Sequence, residues 1–253
     1  MAIAKPVFAG NWKMNKGPGE AARFATEFCE RVQPDADSTV ILFPPAISLL
    51  ATRNALADRC DIQVGAQNVH WEAEGAFTGE TSVDMVVDAG ATFTLVGHSE
   101  RRHLFGETIA ETVRKVRAVL DAGISAVLCV GESLDDRRSG RANDTVESQL
   151  SPVLAELAEL PDERLLIAYE PVWAIGTGET ASPADAARMH GFIRGLLSRA
   201  SDAMRAQEIR ILYGGSVKPD NAAQLLSQSD VDGLLVGGAS LDAESFSRIC
   251  ESA

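Results

Sequence analysis

Apolar residues in this chain gather into short runs that read as buried strands. They lie near Val7–Gly10, Thr39–Phe43, Ile62–Ala66, Thr92–Val96, Ser125–Val130, Leu165–Tyr169, Glu208–Tyr213 and Gly233–Val236. Each is too short for a helix and rich in β-branched or other apolar residues. Between most of them the pattern takes on the period of a helix. Ile109, Val113, Val116 and Leu120 share one helical face, which stops at Asp121-Ala122-Gly123, where glycine can end the helix. Ser182-Pro183 opens another helix, with serine as cap, proline at the first position and Asp185 completing a capping pair. Its apolar stripe runs through Met189, Ile193, Leu196 and Leu197. Asp242 caps a last helix that carries Phe246 and Ile249.

Strands alternating with helices imply parallel strands joined by crossovers. Eight such units in 253 residues suit a (β/α)8 barrel, with a doubly wound open sheet as the alternative. The unusual residues separate the two. Asn11 and Lys13 follow the first strand, His98 the fourth, Glu170 the sixth, Gly214-Gly215-Ser216 the seventh and Gly237-Gly238 the eighth. All stand at carboxyl ends of strands, which converge on one mouth in a closed barrel and would not share a crevice in an open sheet. The expected fold is a single-domain α/β barrel over residues 1–253, with no linker or low-complexity segment. Two connections are long for their task, Gln67 to Glu80 and the segment after Glu170, and long ordered connections are usually functional.

Composition removes several classes of partner. The formal net charge is −13, from 23 Lys+Arg against 36 Asp+Glu, which argues against nucleic acid or an anionic membrane. A small anionic ligand stays open, because one lysine and a few aimed N–H groups can dominate a local site. Cys29, Cys60, Cys129 and Cys250 are scattered without a C-x-x-C pair, so reduced thiols in a cytoplasmic protein are expected. No run reaches the roughly 18 apolar residues of a membrane span. His70, His98, His103 and His190 show no metal-ligand spacing, and neither metal nor cofactor is expected.

Glu170 is the candidate general base. A charge at the end of a buried strand is costly unless it has a partner or a task. Taken alone it could equally cap the strand or pair with an arginine. The stiff Pro171-Val172-Trp173 and the flexible Gly176-Thr177-Gly178 that follow read as a lid, Pro171 to Thr177, which would place Ile175 over the carboxylate and raise its basicity. His98 precedes a short helical turn. Beside the positive end of a helix its ring is expected to be neutral and able to donate to a polarised carbonyl, although a structural histidine bonded to backbone is the plainer alternative. Lys13, flanked by Asn11 and Trp12 just after a strand, is a candidate mouth cation, although a solvated surface lysine is the plainer alternative. The two glycine turns after the last strands suit a phosphate held by backbone N–H groups, although any strand-to-helix loop can need such turns. The stretch Gly176 to Ala181 fits the dinucleotide pattern G-x-G-x-x-A but does not follow its strand directly, so it is set aside. Cys129 ends an apolar strand without a histidine partner and reads as a packed thiol.

Together these stretches resemble the triosephosphate isomerases. The resemblance rests on Asn11-Trp12-Lys13-Met14-Asn15, Gly75 to Glu80, Gly97-His98-Ser99-Glu100-Arg101-Arg102, Cys129 to Glu132, Tyr169 to Gly178, Tyr213 to Ser216 and Leu235 to Leu241, in family order over the whole chain. It implies a TIM barrel that interconverts dihydroxyacetone phosphate and D-glyceraldehyde 3-phosphate, in glycolysis and gluconeogenesis, without a cofactor. It further implies Glu170 as base, neutral His98 as electrophile, and Lys13 with Asn11 stabilising charge. Substrate would be bound by Asn11, Trp12, Lys13, Gly176, Ser216, Gly237 and Gly238. Glu100 would orient Lys13, Cys129 would pack near the base, and Ile175 and Leu235 would clamp the carboxylate. The Gln67–Glu80 connection would serve a homodimer, with Phe77, Thr78 and Gly79 at the interface and Thr78 reaching the partner's Asn11 and Lys13. Glu179 departs from the family, where many members carry a basic residue. Two other readings remain at this point: a Schiff-base aldolase acting through Lys13, and a barrel that binds a phosphorylated ligand without turnover.

Overall fold

A computed structural model describes residues 3–56, 59–156, 164–174, 181–200 and 203–253. Its strands are β1 (Val7–Asn11), β2 (Thr39–Phe43), β3 (Ile62–Ala66), β4 (Phe93–Val96), β5 (Ser125–Val130), β6 (Leu165–Tyr169), β7 (Ile211–Tyr213) and β8 (Gly233–Val236). They are all parallel and follow chain order around a closed barrel, with Val7 paired to Thr39 of β2 on one side and to Gly233 of β8 on the other. Closure disposes of the open-sheet alternative.

The strands are buried on both faces, which explains why they read as continuous apolar runs rather than alternating ones. Val7, Ala9, Ile41, Phe43, Phe93, Leu95, Val127, Cys129, Leu166, Ala168, Leu212 and Leu235 form one cluster that fills the barrel. Their neighbours, such as Phe8, Leu42, Val64, Leu128 and Ile167, face outward into a second, larger cluster shared with the helices. An aromatic row seals the seam between first and last helices. Trp12 meets Phe24 edge-on at 4.8 Å, Phe24 stacks on Phe28 at 5.7 Å, and Phe28 stacks on Phe246 at 5.2 Å. This joins the helix Pro18–Arg31 to the helix Ala243–Cys250.

The helix signals act as expected. Ser182 Oγ accepts from the Asp185 N–H at 3.1 Å, and Asp185 accepts in return from the Ser182 N–H at 3.2 Å, at the head of the helix Pro183–Ala200. Asp242 accepts from the Ser245 N–H at 2.8 Å. The helix Ile109–Asp121 buries Thr112, Val116, Val119 and Leu120, with Ile109 and Val113 at the edge of that face, so the buried stripe is turned slightly from the one expected. β1 runs one residue further than expected, β4 starts one residue later, and the start of β7 is corrected by more. Glu208 ends a short helix, Ala203–Glu208, and β7 starts only at Ile211. The reason is Arg194, whose guanidinium bonds the carbonyls of Ala206 and Ile209 and pairs with Asp232 at 2.7 Å and Asp230 at 3.0 Å. A buried cation satisfied this way fixes the end of that helix before the chain can enter the sheet.

Beside Arg194 lies His190, fully buried, with Nδ1 2.8 Å from the Asp230 carbonyl oxygen. A carbonyl only accepts, so the proton sits on Nδ1, and Nε2 has no partner among the described residues. Burial, opposed by the Asp230 carbonyl and the charges of Asp232 and Asp230, lowers the His190 pKa from 6.5 to about 4. Between those values the unfolded chain binds a proton that the folded chain refuses, so stability falls as pH drops from 6.5 towards 4. The shift corresponds to roughly 3 kcal/mol at its full extent. In urea unfolding at fixed protein concentration, His190→Asn, which keeps a donor for the Asp230 carbonyl, is expected to lose less stability than the parent between pH 7 and pH 4.5. Equal losses in the two proteins would show that His190 does not titrate this way.

Candidate active site

The carboxyl ends of β1, β4, β6, β7 and β8 surround a cleft of about 370 Å³ lined by Asn11, Lys13, His98, Glu170, Gly214, Gly215, Ser216, Lys218, Leu235, Gly237 and Gly238, among others. Barrel closure therefore brings together most of the residues singled out in the sequence.

Glu170 leaves β6 with its N–H on the Val130 carbonyl at 2.8 Å, and its side chain is 2% exposed. Gly131 makes this placement possible, since a Cβ there would overlap the Glu170 carbonyl oxygen. One carboxylate oxygen lies 2.9 Å from His98 Nε2 and the other accepts the Ser99 N–H at 2.8 Å. Gly97, in the left-handed region at φ 70°, turns the chain out of β4 so that His98 heads the helix Ser99–Phe105. There His98 Nδ1 accepts the Glu100 N–H at 3.3 Å. A nitrogen that accepts cannot carry the proton, so the ring's proton is on Nε2 and points at Glu170. Burial alone would raise Glu170 and lower His98. The attraction between the two outweighs burial, leaving Glu170 below and His98 above its ordinary value in this resting pair.

Lys13 stands across the cleft in a left-handed conformation, φ 52°. For a residue with a side chain this costs about 1–2 kcal/mol. Two amides hold it there: Asn11 Oδ1 accepts the Lys13 N–H at 3.0 Å, and Gln67 Nε2 donates to the Lys13 carbonyl at 2.9 Å. The ammonium is fixed by Glu100 at 2.6 Å. This ion-paired, partly solvated amine differs from the desolvated one that Schiff-base chemistry calls for.

After β6 the segment is described as far as Ala174. Ile175, Gly176, Thr177, Gly178 and Glu179 lie outside the described residues. The stiff part is tied down by Glu132: its carbonyl accepts the Val172 N–H at 3.2 Å, and its buried carboxylate accepts from Trp173 Nε1 at 2.8 Å and the Tyr169 hydroxyl at 3.0 Å. Arg137 lies 4.4 Å over the Trp173 ring.

With this geometry in place, likeness to known proteins can be weighed. The triosephosphate isomerase family model matches residues 6–253. The chain belongs to the triosephosphate isomerase family. A triosephosphate isomerase of Syntrophotalea carbinolica is 47% identical over 247 residues, covering 98% of each chain. That of Oleidesulfovibrio alaskensis is 49% identical over 248 residues, 97% of this chain and 98% of its own. That of Geobacter metallireducens is 46% identical over 244 residues, 96% and 97%. The protein is thus an isomerase that interconverts dihydroxyacetone phosphate and D-glyceraldehyde 3-phosphate, and neither the aldolase nor the binding-only reading finds support.

One side chain is reassigned. Trp12, expected to bind substrate, is fully buried against Phe24 in the helix layer and does not line the cleft. The backbone turns between Asn11 and Lys13, so their intervening side chain points the other way. Three residues were missed as individuals. Gln67 carried no chemical signal beyond heading a long connection. Glu132 stood only inside a matched stretch. Glu107, which accepts from the Gly97 N–H at 3.1 Å and from Arg101 Nε at 2.7 Å, is set apart by nothing in the sequence.

Cys129 is fully buried inside the barrel, where burial above all, with the Glu170 charge adding to it, raises its pKa well above the usual thiol value. Thiolate is the reactive form. Iodoacetamide at pH 8 is expected to label exposed Cys60 in the native protein and to reach Cys129 only after unfolding; native labelling of Cys129 would contradict this assignment.

Proposed function

We propose that Glu170 is the base of the isomerisation, His98 the electrophile, and Lys13 with Asn11 the stabiliser of the negative charge that develops. The observation that supports this best is the Glu170–His98 contact of 2.9 Å at the edge of a cleft also lined by Lys13 and the glycines after β7 and β8. Glu170 takes a proton from the substrate carbon beside the carbonyl. The C–H electron pair forms the enediolate double bond, and the carbonyl oxygen gains the charge. The His98 Nε2–H and the Lys13 ammonium meet that charge. His98 moves protons between the two oxygens, and Glu170 returns its proton to the neighbouring carbon.

In the resting protein Glu170 is tied to His98 and Ser99, so it must leave both to reach substrate. Once it does, the charge that raises His98 is gone. Burial and the Glu100 N–H on Nδ1 then both favour the neutral ring. Glu170, stripped of its donors and still buried, becomes more basic. The triosephosphate isomerases are themselves a standard case of such tuning. General base catalysis contributes roughly 10²–10⁴-fold, and fixed charges aimed at the enediolate supply much of the rest.

Phosphate is assigned to backbone N–H groups of Ser216, Gly237 and Gly238, with Gly176 of the lid. An enediolate can expel phosphate, so holding it and excluding water protects the intermediate. Leu235 lines the cleft beside Gly214, where it can form one jaw of the apolar clamp, with Ile175 as the other.

The active form is proposed to be a cytoplasmic, cofactor-independent homodimer working in glycolysis and gluconeogenesis. Met14 (96% exposed), Ile47 (76%), Met85 (56%), Leu104 (74%) and Phe105 (70%) come from the connections after β1 to β4, which are neighbours around the barrel. Exposed apolar side chains gathered on one end of a barrel suit an interface. Beside it, Asn11, Lys13, Met14, Gln67, Glu100 and Phe105 line a hollow of about 230 Å³ that suits an incoming loop tip. Phe77, Thr78 and Gly79 are exposed on such a tip, braced by a Glu80 N–H bond to the Phe77 carbonyl at 3.0 Å and by Phe77 against His70 at 4.2 Å.

A coupled assay with both triose phosphates tests these roles. Glu170→Asp draws the carboxylate back by about one methylene and is expected to lose on the order of 10²-fold in turnover while staying folded; near-parental turnover would remove Glu170 as the base. Thr78→Arg is expected to weaken dimerisation and activity together. An unchanged dimer by sedimentation would sink that assignment.

A further inference from the structure

The substrate carries a phosphate dianion, and the protein carries a net charge of −13. Among the described residues that line the cleft, the permanent cations are Lys13 and Lys218. The Lys13 ammonium is engaged by Glu100 at 2.6 Å and is assigned above to the charge that develops during isomerisation. Lys218 is exposed and makes no ion pair among the described residues. The nearest acid in sequence, Asp220, lies 3.5 Å from Arg248. Lys218 sits two residues beyond Ser216, on the connection between β7 and the helix Pro219–Leu226. Asn221 holds that connection as a unit: its Nδ2 donates to the Ser216 carbonyl at 3.0 Å, and its Oδ1 accepts the Lys218 N–H at 2.8 Å. The amide thus sets Lys218 relative to the residue assigned to the phosphate.

We propose that Lys218 is a second cation of the active site, one that attracts and retains the phosphate dianion and sets the preference for phosphorylated over neutral trioses. The inference rests on the reading of Ser216, Gly237 and Gly238 as the phosphate cradle. Lys218 acts through space on a group those N–H donors hold, so its effect is screened by salt, whereas hydrogen bonds of the cradle are not screened comparably. It makes no demand on the proton-transfer step.

The test compares the parent with Lys218→Ala and Lys218→Arg, using D-glyceraldehyde 3-phosphate, unphosphorylated glyceraldehyde and inorganic phosphate as inhibitor, from low to about 0.5 M ionic strength. Lys218→Ala is expected to lower kcat/KM for the phosphorylated substrate roughly three- to fivefold at low salt, and to weaken inhibition by phosphate similarly. The gap should close as salt rises, and Lys218→Arg should restore most of it. Equal losses on glyceraldehyde and its phosphate would overturn the inference, as would a gap indifferent to salt or no loss at all. Gly238→Val separates this from the cradle itself, because a side chain there projects into open space. If Gly238→Val spares phosphate inhibition, the cradle reading fails whatever Lys218 does. If it abolishes inhibition while Lys218→Ala has no effect, the Lys218 inference alone fails.

Discussion

A carboxylate that is 2% exposed needs donors, and the donors of Glu170 are themselves parts of the site. Burying an unpaired carboxylate costs several kcal/mol. In the resting protein that cost is offset by the His98 Nε2–H at 2.9 Å and the Ser99 N–H at 2.8 Å. Both donors belong to the turn that follows β4, so the resting position of the Glu170 carboxylate and the position of the His98 ring are set by the same few residues. Held, the Glu170 carboxylate is stabilised by both donors; released from them in the same dry surroundings, it would keep its desolvation and become more basic.

That exchange requires the two strand ends to meet at a fixed distance, which the barrel supplies. β4 and β6 are not adjacent, but β5 pairs with both, placing Cys129 opposite Ala168 just below the carboxylate. Gly131 lets β5 run on past the Glu170 carbonyl without collision. The fully buried Cys129 thiol completes the floor. A larger side chain there would displace the carboxylate from both donors at once, since a packed interior transmits such shifts. The tautomer of His98 follows from the same turn: the Glu100 N–H occupies Nδ1, and only Nε2 is left to face the base or the substrate.

Fold and site were unequally legible. Eight apolar runs with chemistry at their carboxyl ends implied closure, because only a closed barrel unites the ends of β1, β4, β6, β7 and β8. Capping pairs such as Ser182 with Asp185 were legible because they are local. What escaped depended on long-range contacts. The start of β7 is set by Arg194, remote in sequence, acting on carbonyls that carry no sequence signal. Gln67 clamps the Lys13 carbonyl from another strand, and nothing in a glutamine's type announces that. Trp12 misled because its neighbours on both sides enter the cleft, and the left-handed turn at Lys13 that reverses the expected alternation is visible only in the backbone.

That turn also bears on assembly into the proposed homodimer. Lys13 is strained by about 1–2 kcal/mol, and the described residues that hold it are Asn11, Gln67 and Glu100. The next residue, Met14, is 96% exposed, and other apolar side chains from the first four connections are exposed in large part. Strain persists only where surroundings over-determine it. An outer wall contributed by a second copy would add to the restraint and at the same time remove that apolar surface from water. Assembly and the conformation of Lys13 would then draw on the same free energy. Substitutions at the loop tip would then be felt at Lys13, which lines the hollow assigned to that tip.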